Sequence, residues 1–444
     1  MQQLLKELPK VDKLALEPAF KNYSKKILTN AIREELNILR NDILKGKISS
    51  FSKDELIKNI QKRYKNTLAS SLKPLINATG VILHTNMGRS LISKEILDRA
   101  SRVICRYSNL EYNQKEGKRG ERYEHVSHHL KSLLDVEDVL VVNNNASAVF
   151  LILNTFAKNK EVIVSRGELV EIGGSFRIPE VMANSGAILK EVGATNKTKK
   201  SDYECAINEN TSMVMKVHKS NYSIEGFAQD VSFRDIKDLA TKYNLIDYFD
   251  LGSGYIPTLP YNLSSAEPPL AQVLKDKPSL ISFSGDKLFG SVQAGIIAGK
   301  KELIDKLKRN QLLRMVRVDK ITLSILEETI KAYLEENLEL IPTLKMLFQT
   351  KEELLKKATT LKNKIKSDTQ IIQTLTFMGG GTLPNRSFES IALKISGKAT
   401  ALEAKFREKD IIGRIENNSF LLDVRTILDD EIDYVAKVAN EVME

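Results

Sequence analysis

The sequence predicts an α/β fold: a mostly parallel sheet covered by helices, preceded by a small helical domain and followed by a smaller α/β unit. Three observations predict it. Between about residues 71 and 320, short continuous apolar runs alternate with helical stretches, as expected of strands buried on both faces. Residues 1–70 carry helical periodicity only. The 444 residues exceed what one ordinary core supports. Three domains are expected, at 1–70, 71–320 and 321–444.

In the first segment Ile27, Ala31, Leu36 and Leu39 recur at helical spacing. Ser52 precedes a second helix, and Glu55 three residues on completes a capping-box pattern. Fifteen Lys/Arg against eight Asp/Glu give this segment a net charge of +7, most of the +10 of the whole chain. Positive charge so concentrated suits a polyanion such as nucleic acid; a solvated lysine-rich surface is the plainer reading. Pro74 disfavours helix at Lys73, so Ser70–Pro74 reads as the boundary.

The apolar runs beyond that boundary are Val139–Val142, Val162–Val164, Met213–Val217, Leu245–Phe249, Leu280–Phe283 and Gly295–Ala298. Residues 321–366 read as a long amphipathic helix broken near Pro342, and 367–444 as the smaller α/β unit. Gly379-Gly380-Gly381 lacks the lysine of a phosphate loop and reads as a turn.

Several classes are disfavoured. No run of about 18 apolar residues predicts a membrane span, and no apolar block near the start predicts secretion. Cys105 and Cys205 lie far apart and form neither a disulfide framework nor a CxxC pair, so a reducing cytoplasm is expected. His125, His128 and His129 cluster without HExxH or a cysteine-rich partner segment, so no metal is expected.

Ligands of parallel sheets bind beyond the carboxyl ends of the strands. Three such ends carry chemistry here. After Val142 comes Asn143-Asn144-Asn145-Ala146-Ser147, then helix. The backbone N–H groups at Asn145, Ala146 and Ser147 would meet an anion there, favoured by the helix dipole. An ordinary Asn/Ser cap is the competing reading. After Phe249 comes Asp250, a carboxylate costly to bury without a partner. A protonated pyridine nitrogen is one such partner; a metal and a helix cap are others. After Phe283 come Ser284, Gly285, Asp286 and Lys287. A desolvated lysine at that place becomes a nucleophilic amine, Gly285 permits a tight turn, and Ser284 could reach a phosphate. Taken in this order, the three ends predict pyridoxal 5'-phosphate (PLP), carried as a Schiff base on Lys287. His218 ends the run Met213–Val217 and could reach the cofactor too. Arg89, Arg314 and Arg317 are candidates for an anionic substrate, the last two sharing a face if helical.

The segments Ile76–Arg89, Ser165–Pro179, Glu191–Thr198, Asp250–Gly254 and Ser284–Gly290 resemble the bacterial selenocysteine synthase family (L-seryl-tRNA(Sec) selenium transferases), as do Gly379–Pro384 and Ile412–Glu416. Ser291-Val292-Gln293 departs from the Gly-Pro-Gln of many relatives, in a turn beside the cofactor. The resemblance implies a fold-type-I PLP transferase, aspartate-aminotransferase-like, with an N-terminal tRNA-binding domain. It implies conversion of seryl-tRNA(Sec) to selenocysteinyl-tRNA(Sec) with selenophosphate, through an aminoacrylyl-tRNA, in a homo-oligomer, typically a decamer. Carried over, Lys287 is the Schiff-base lysine, Asp286 an acidic residue tied to catalysis, and Arg89, Arg314 and Arg317 the selenophosphate ligands. Two other readings stand beside it: a PLP enzyme acting on a small free amino acid, and a non-catalytic tRNA-binding protein. Free serine tested against seryl-tRNA separates the first.

Overall fold

The computed structural model describes every residue except Met1, Gly173, Ser175, Ser220, Ala266 and Glu444; Gly173 and Ser175 belong to the Ser165–Pro179 motif and lie outside the described residues. The chain forms two compact units, residues 1–74 and 75–444.

The first unit is helical. Its two long helices are α1 (Lys25–Leu44) and α2 (Lys53–Leu68). Leu28, Ala31, Ile32 and Leu36 of α1 pack with Leu56, Ile60 and Tyr64 of α2 around Leu14 and Phe20. Ala31 and Leu36 lie in this core, with Ile27 and Leu39 partly buried against it. Arg63 reaches across to Glu35 at 2.5 Å and Glu34 at 2.7 Å. The expected capping box is absent: Ser52 stands at the N-cap of α2, but its side chain makes no cap hydrogen bond. Ser52 and Glu55 are both exposed, so water competes for the groups the box would pair.

In the second unit a seven-stranded sheet carries the expected runs. Its strands are β1 (Asp138–Val142), β2 (Glu161–Ser165), β3 (Ile188–Val192), β4 (Thr211–Val217), β5 (Ile246–Gly252), β6 (Leu280–Ser284) and β7 (Gly295–Gly299). The spatial order is β1-β7-β6-β5-β4-β2-β3. Pairing is parallel from β6 to β3, whereas β7 runs antiparallel to both β6 and β1. Alternate residues serve opposite faces. Val139 and Val141 enter one apolar layer, Leu140 and Val142 the other. Burial on both faces explains why these strands read as continuous apolar runs.

The stretch after residue 320 holds three helices, Lys320–Leu334, Pro342–Phe348 and Lys351–Lys364. The break near Pro342 is present, with proline in the first turn where its missing N–H costs nothing. A second break comes after it, because Thr350 caps the last helix in a true capping box with Glu353. Beyond it a four-stranded antiparallel sheet packs on helices through Leu393, Phe406, Phe420 and Val435. Gly379-Gly380-Gly381 is the turn between its two longest strands, all three residues at positive φ.

Candidate active site

The site is assembled at the carboxyl ends of β1, β5 and β6. Each strand is buried, so the first residues beyond it begin in a dry environment. Asp250 lies at a register slip between β5 and β6, between Asp250 and Gly252; bulges of this kind re-aim a side chain. Its carboxylate accepts from Asn145 Nδ2 at 2.8 Å and from the Gly252 amide at 3.2 Å. Burial pushes the Asp250 carboxyl above its ordinary range, opposed by the Asn145 hydrogen bond and the charge of Lys287. Lys287 is 5 % exposed. Burial pulls its amine below the ordinary lysine range, against the attraction of Asp250.

Gly285 is required by close approach: a Cβ there would stand 2.6 Å from the Val292 carbonyl oxygen. Ser284 is buried at the end of β6, paired with Gly295. Asp286 accepts from Arg89 Nη1 at 2.8 Å. Arg89 comes directly after Gly88 and has φ +63°, a left-handed conformation that a non-glycine residue adopts at some cost. That conformation presents the guanidinium to the carboxylate next to Lys287.

The helix α3 (Asn145–Phe156) begins where expected, and its start carries the Asn cap of the competing reading. Asn144 is the N-cap, its side chain accepting from the Ser147 amide at 2.8 Å. The amides of Asn145 and Ala146 remain at the open end, where a helix has no internal acceptor for them. The Asn145 side chain, read from the sequence only as part of an anion cradle, also grips Asp250. Gly295 in β7 allows this turn: a Cβ there would stand 2.2 Å from the Asn144 carbonyl oxygen.

His218 comes after β4, and its amide donates to the Asp250 carbonyl at 2.8 Å. Its Nδ1 is buried without a hydrogen-bond partner, and so is Asn145 Oδ1. The buried Glu267 approaches that Nδ1 at 4.0 Å.

The two remaining arginines do not share a helical face. Arg314 closes a 3-10 turn, Gln311–Arg314, and is exposed. Arg317 lies beyond it in extended chain bridged to Val142, since Asn143 donates to the Val316 carbonyl and draws the segment onto the end of β1. Arg317 contacts Glu111 at 3.3 Å. The same carboxylate takes Arg122 at 2.8 Å and Arg119 at 3.2 Å. The Arg122 hydrogen bond leads in holding Glu111 below the usual carboxylate range. Arg122, Glu111 and Glu267 were not legible as site residues; none stands at a strand end.

PLP fits these residues. A pyridinium N–H would supply the cation that buried Asp250 lacks, an anionic phosphate suits the start of α3, and Lys287 offers a buried amine. The orphaned Asn145 Oδ1 and His218 Nδ1 mark polar positions that such a group would occupy or order.

The family model of the L-seryl-tRNA selenium transferases matches residues 75–428. The chain belongs to that family. It is 56% identical over 446 residues to an L-seryl-tRNA(Sec) selenium transferase of Aliarcobacter butzleri, with 99% of each chain covered. A transferase of the same name from Sulfurimonas denitrificans is 56% identical over 444 residues, again with 99% of each chain covered. Among solved structures, D-glucosaminate-6-phosphate ammonia-lyase superposes with a TM-score of 0.61 at 19% identity, covering 85% of this chain and 97% of that one. The fold is that of the fold-type-I PLP enzymes. No described helix is long and apolar enough to cross a membrane.

Proposed function

We propose that this protein converts L-seryl-tRNA(Sec) to L-selenocysteinyl-tRNA(Sec), with PLP bound at Lys287 and selenophosphate as the selenium donor. The observation that carries the site assignment is a buried lysine and a buried aspartate brought together at the ends of adjacent strands. Family membership over nearly the whole chain supplies the reaction.

When bound, PLP supplies an electron sink for cleavage of a Cα–H bond and departure of a β-hydroxyl. The residues supply the rest. Asp250, oriented by Asn145, would supply the negative charge that favours a protonated ring nitrogen. Lys287, with its amine biased toward the neutral form, takes the proton from the seryl Cα. Asn145 and Ala146 would hold its phosphate through their amides at the helix start, with the Ser147 and Ser284 hydroxyls as further donors. His218 would contact the bound cofactor. Asp286 holds Arg89, and Arg89, Arg314 and Arg317 bind the anionic donor. Bringing donor and acceptor together in a dry site contributes by proximity. The basic helical unit grips the tRNA, mainly through shape and backbone. The working form is a homo-oligomer in the cytoplasm, a decamer by the family resemblance; light scattering of the purified protein tests its size.

The test is borohydride reduction of the cofactor-loaded protein, peptide mapping, and conversion of seryl-tRNA(Sec) with selenophosphate. Cofactor fixed on Lys287 and a selenium-labelled aminoacyl-tRNA are expected. The Lys287→Ala variant loses both, with turnover reduced about 1000-fold or more. Fixation at another lysine, or turnover of free serine with none of seryl-tRNA, overturns the assignment.

A further inference from the structure

Glu267 is a buried acid with an unusual set of neighbours. Its residue is 1 % exposed. The Ser253 hydroxyl lies on both of its carboxylate oxygens. The Tyr255 hydroxyl donates to its backbone carbonyl, and the Leu270 amide returns to the Tyr255 carbonyl at 3.0 Å. The backbone at Glu267 is thereby fixed from a residue that is itself fully buried.

One hydroxyl gives one proton, so Ser253 leaves most of the acceptor capacity of an ionised Glu267 unused. A buried carboxylate in that state is expensive. Facing it at 4.0 Å is His218 Nδ1, which is buried and lacks a hydrogen-bond partner. The two deficits are complementary. A movement of about 1 Å turns the approach into a hydrogen bond of ordinary length. Such a bond would place the proton on Nδ1 and free Nε2 as the acceptor. The His218 amide is tied to the Asp250 carbonyl, so the backbone that carries the imidazole is fixed to the strand that carries Asp250. The Glu267 charge is felt at Lys287, which it draws toward the protonated form.

We propose that Glu267 is a positioning residue that fixes the tautomer and orientation of His218 against the cofactor. This rests on the assignment of PLP to the Lys287 site. Ser253 is the support that holds the carboxylate in place, and closure of the Glu267–His218 gap accompanies cofactor binding.

The test is a double-mutant cycle in the full-length protein, using Glu267→Gln, His218→Asn and the pair. Glu267→Gln keeps the shape and the contact with Ser253 but removes the charge. PLP affinity is measured by titrating the apoprotein with PLP and monitoring absorbance; kcat and KM for seryl-tRNA are then measured. Glu267→Gln is expected to weaken PLP binding and lower kcat, each roughly 10-fold, in line with loss of an acid that orients a histidine. KM should stay near wild type. In the His218→Asn background the same substitution should add little, because its effect runs through the histidine. Glu267→Asp should restore part of the loss. Full additivity in the cycle, or wild-type affinity and kcat in Glu267→Gln, overturns the proposal while wild-type turnover leaves the PLP assignment standing. A wild-type protein that neither binds PLP nor turns over seryl-tRNA overturns both.

Discussion

A lysine that emerges from a buried strand is poorly placed as a charge and well placed as an amine. Lys287 illustrates the trade: burial lowers its proton affinity further than Asp250 restores it. The consequence for stability has a definite sign. The unfolded lysine titrates near ~10.4, above the folded amine. Between the two values the unfolded chain holds more protons, so stability of the apoprotein rises with pH across that window. Lys287→Met removes the buried charge. The apo variant should therefore melt higher than wild type at neutral pH, and the gap should narrow as pH climbs toward about 10. Calorimetry on both apoproteins checks this; a gap that widens contradicts it. The strand-end logic that picked out Lys287 and Asp250 needed only the apolar runs before them. Glu267 escaped it, since a lone acid after Ser265-Ala266 and before Pro268-Pro269 has no period or motif to betray its burial.

At the scale of elements, the approach of β7 to the start of α3 is the tightest joint near the site. Gly295→Ala would force its new Cβ against the Asn144 carbonyl, 2.2 Å away, and against the Asn145 amide at 2.9 Å. Backbone is what must yield, so about 1–3 kcal/mol of stability should be lost. PLP affinity should fall as well, because Asn145 serves both the helix start and Asp250. Chemical denaturation and cofactor titration report the two effects separately; wild-type values in both would refute the reading. Elements defined by periodicity were legible in the sequence, as the buried strands and the break near Pro342 attest. Side-chain pairings at their ends were less so. Spacing alone put Arg314 and Arg317 on one helical face, yet a 3-10 turn stops at Arg314 and the bridge to Val142 holds the next residues extended. The Ser52–Glu55 box failed for a related reason: sequence records the residue types but not the competing water.

At the scale of the whole molecule, the chain separates a basic helical unit from the unit that holds the site. Lys25, Lys26, Arg33, Arg40, Lys58, Lys62 and Lys65 are exposed on its two long helices, and Arg63 is the member engaged with acids across them. Removing residues 1–74 should lower affinity for tRNA and flatten the dependence of log K on log salt, since fewer counterions are released. PLP binding should survive. Filter binding across a salt series, with absorbance of the remaining protein, checks both; unchanged tRNA affinity would remove the unit from recognition.

The antiparallel insertion of β7 between β6 and β1 also dictates when the molecule can be finished. β1 ends at Val142 and its partner begins at Gly295, so roughly 150 residues must leave the ribosome before β1 acquires a neighbour. At about 5–20 residues per second that delay is on the order of 10–30 s. Throughout it a strand apolar from Val139 to Val142 waits with an unpaired edge, the condition under which chains adhere to one another. The site shares the delay, because Asn145 leaves the ribosome long before Asp250 and Lys287. Cofactor therefore has no pocket to enter until the sheet has closed, and it rewards only chains that have already reached the native arrangement.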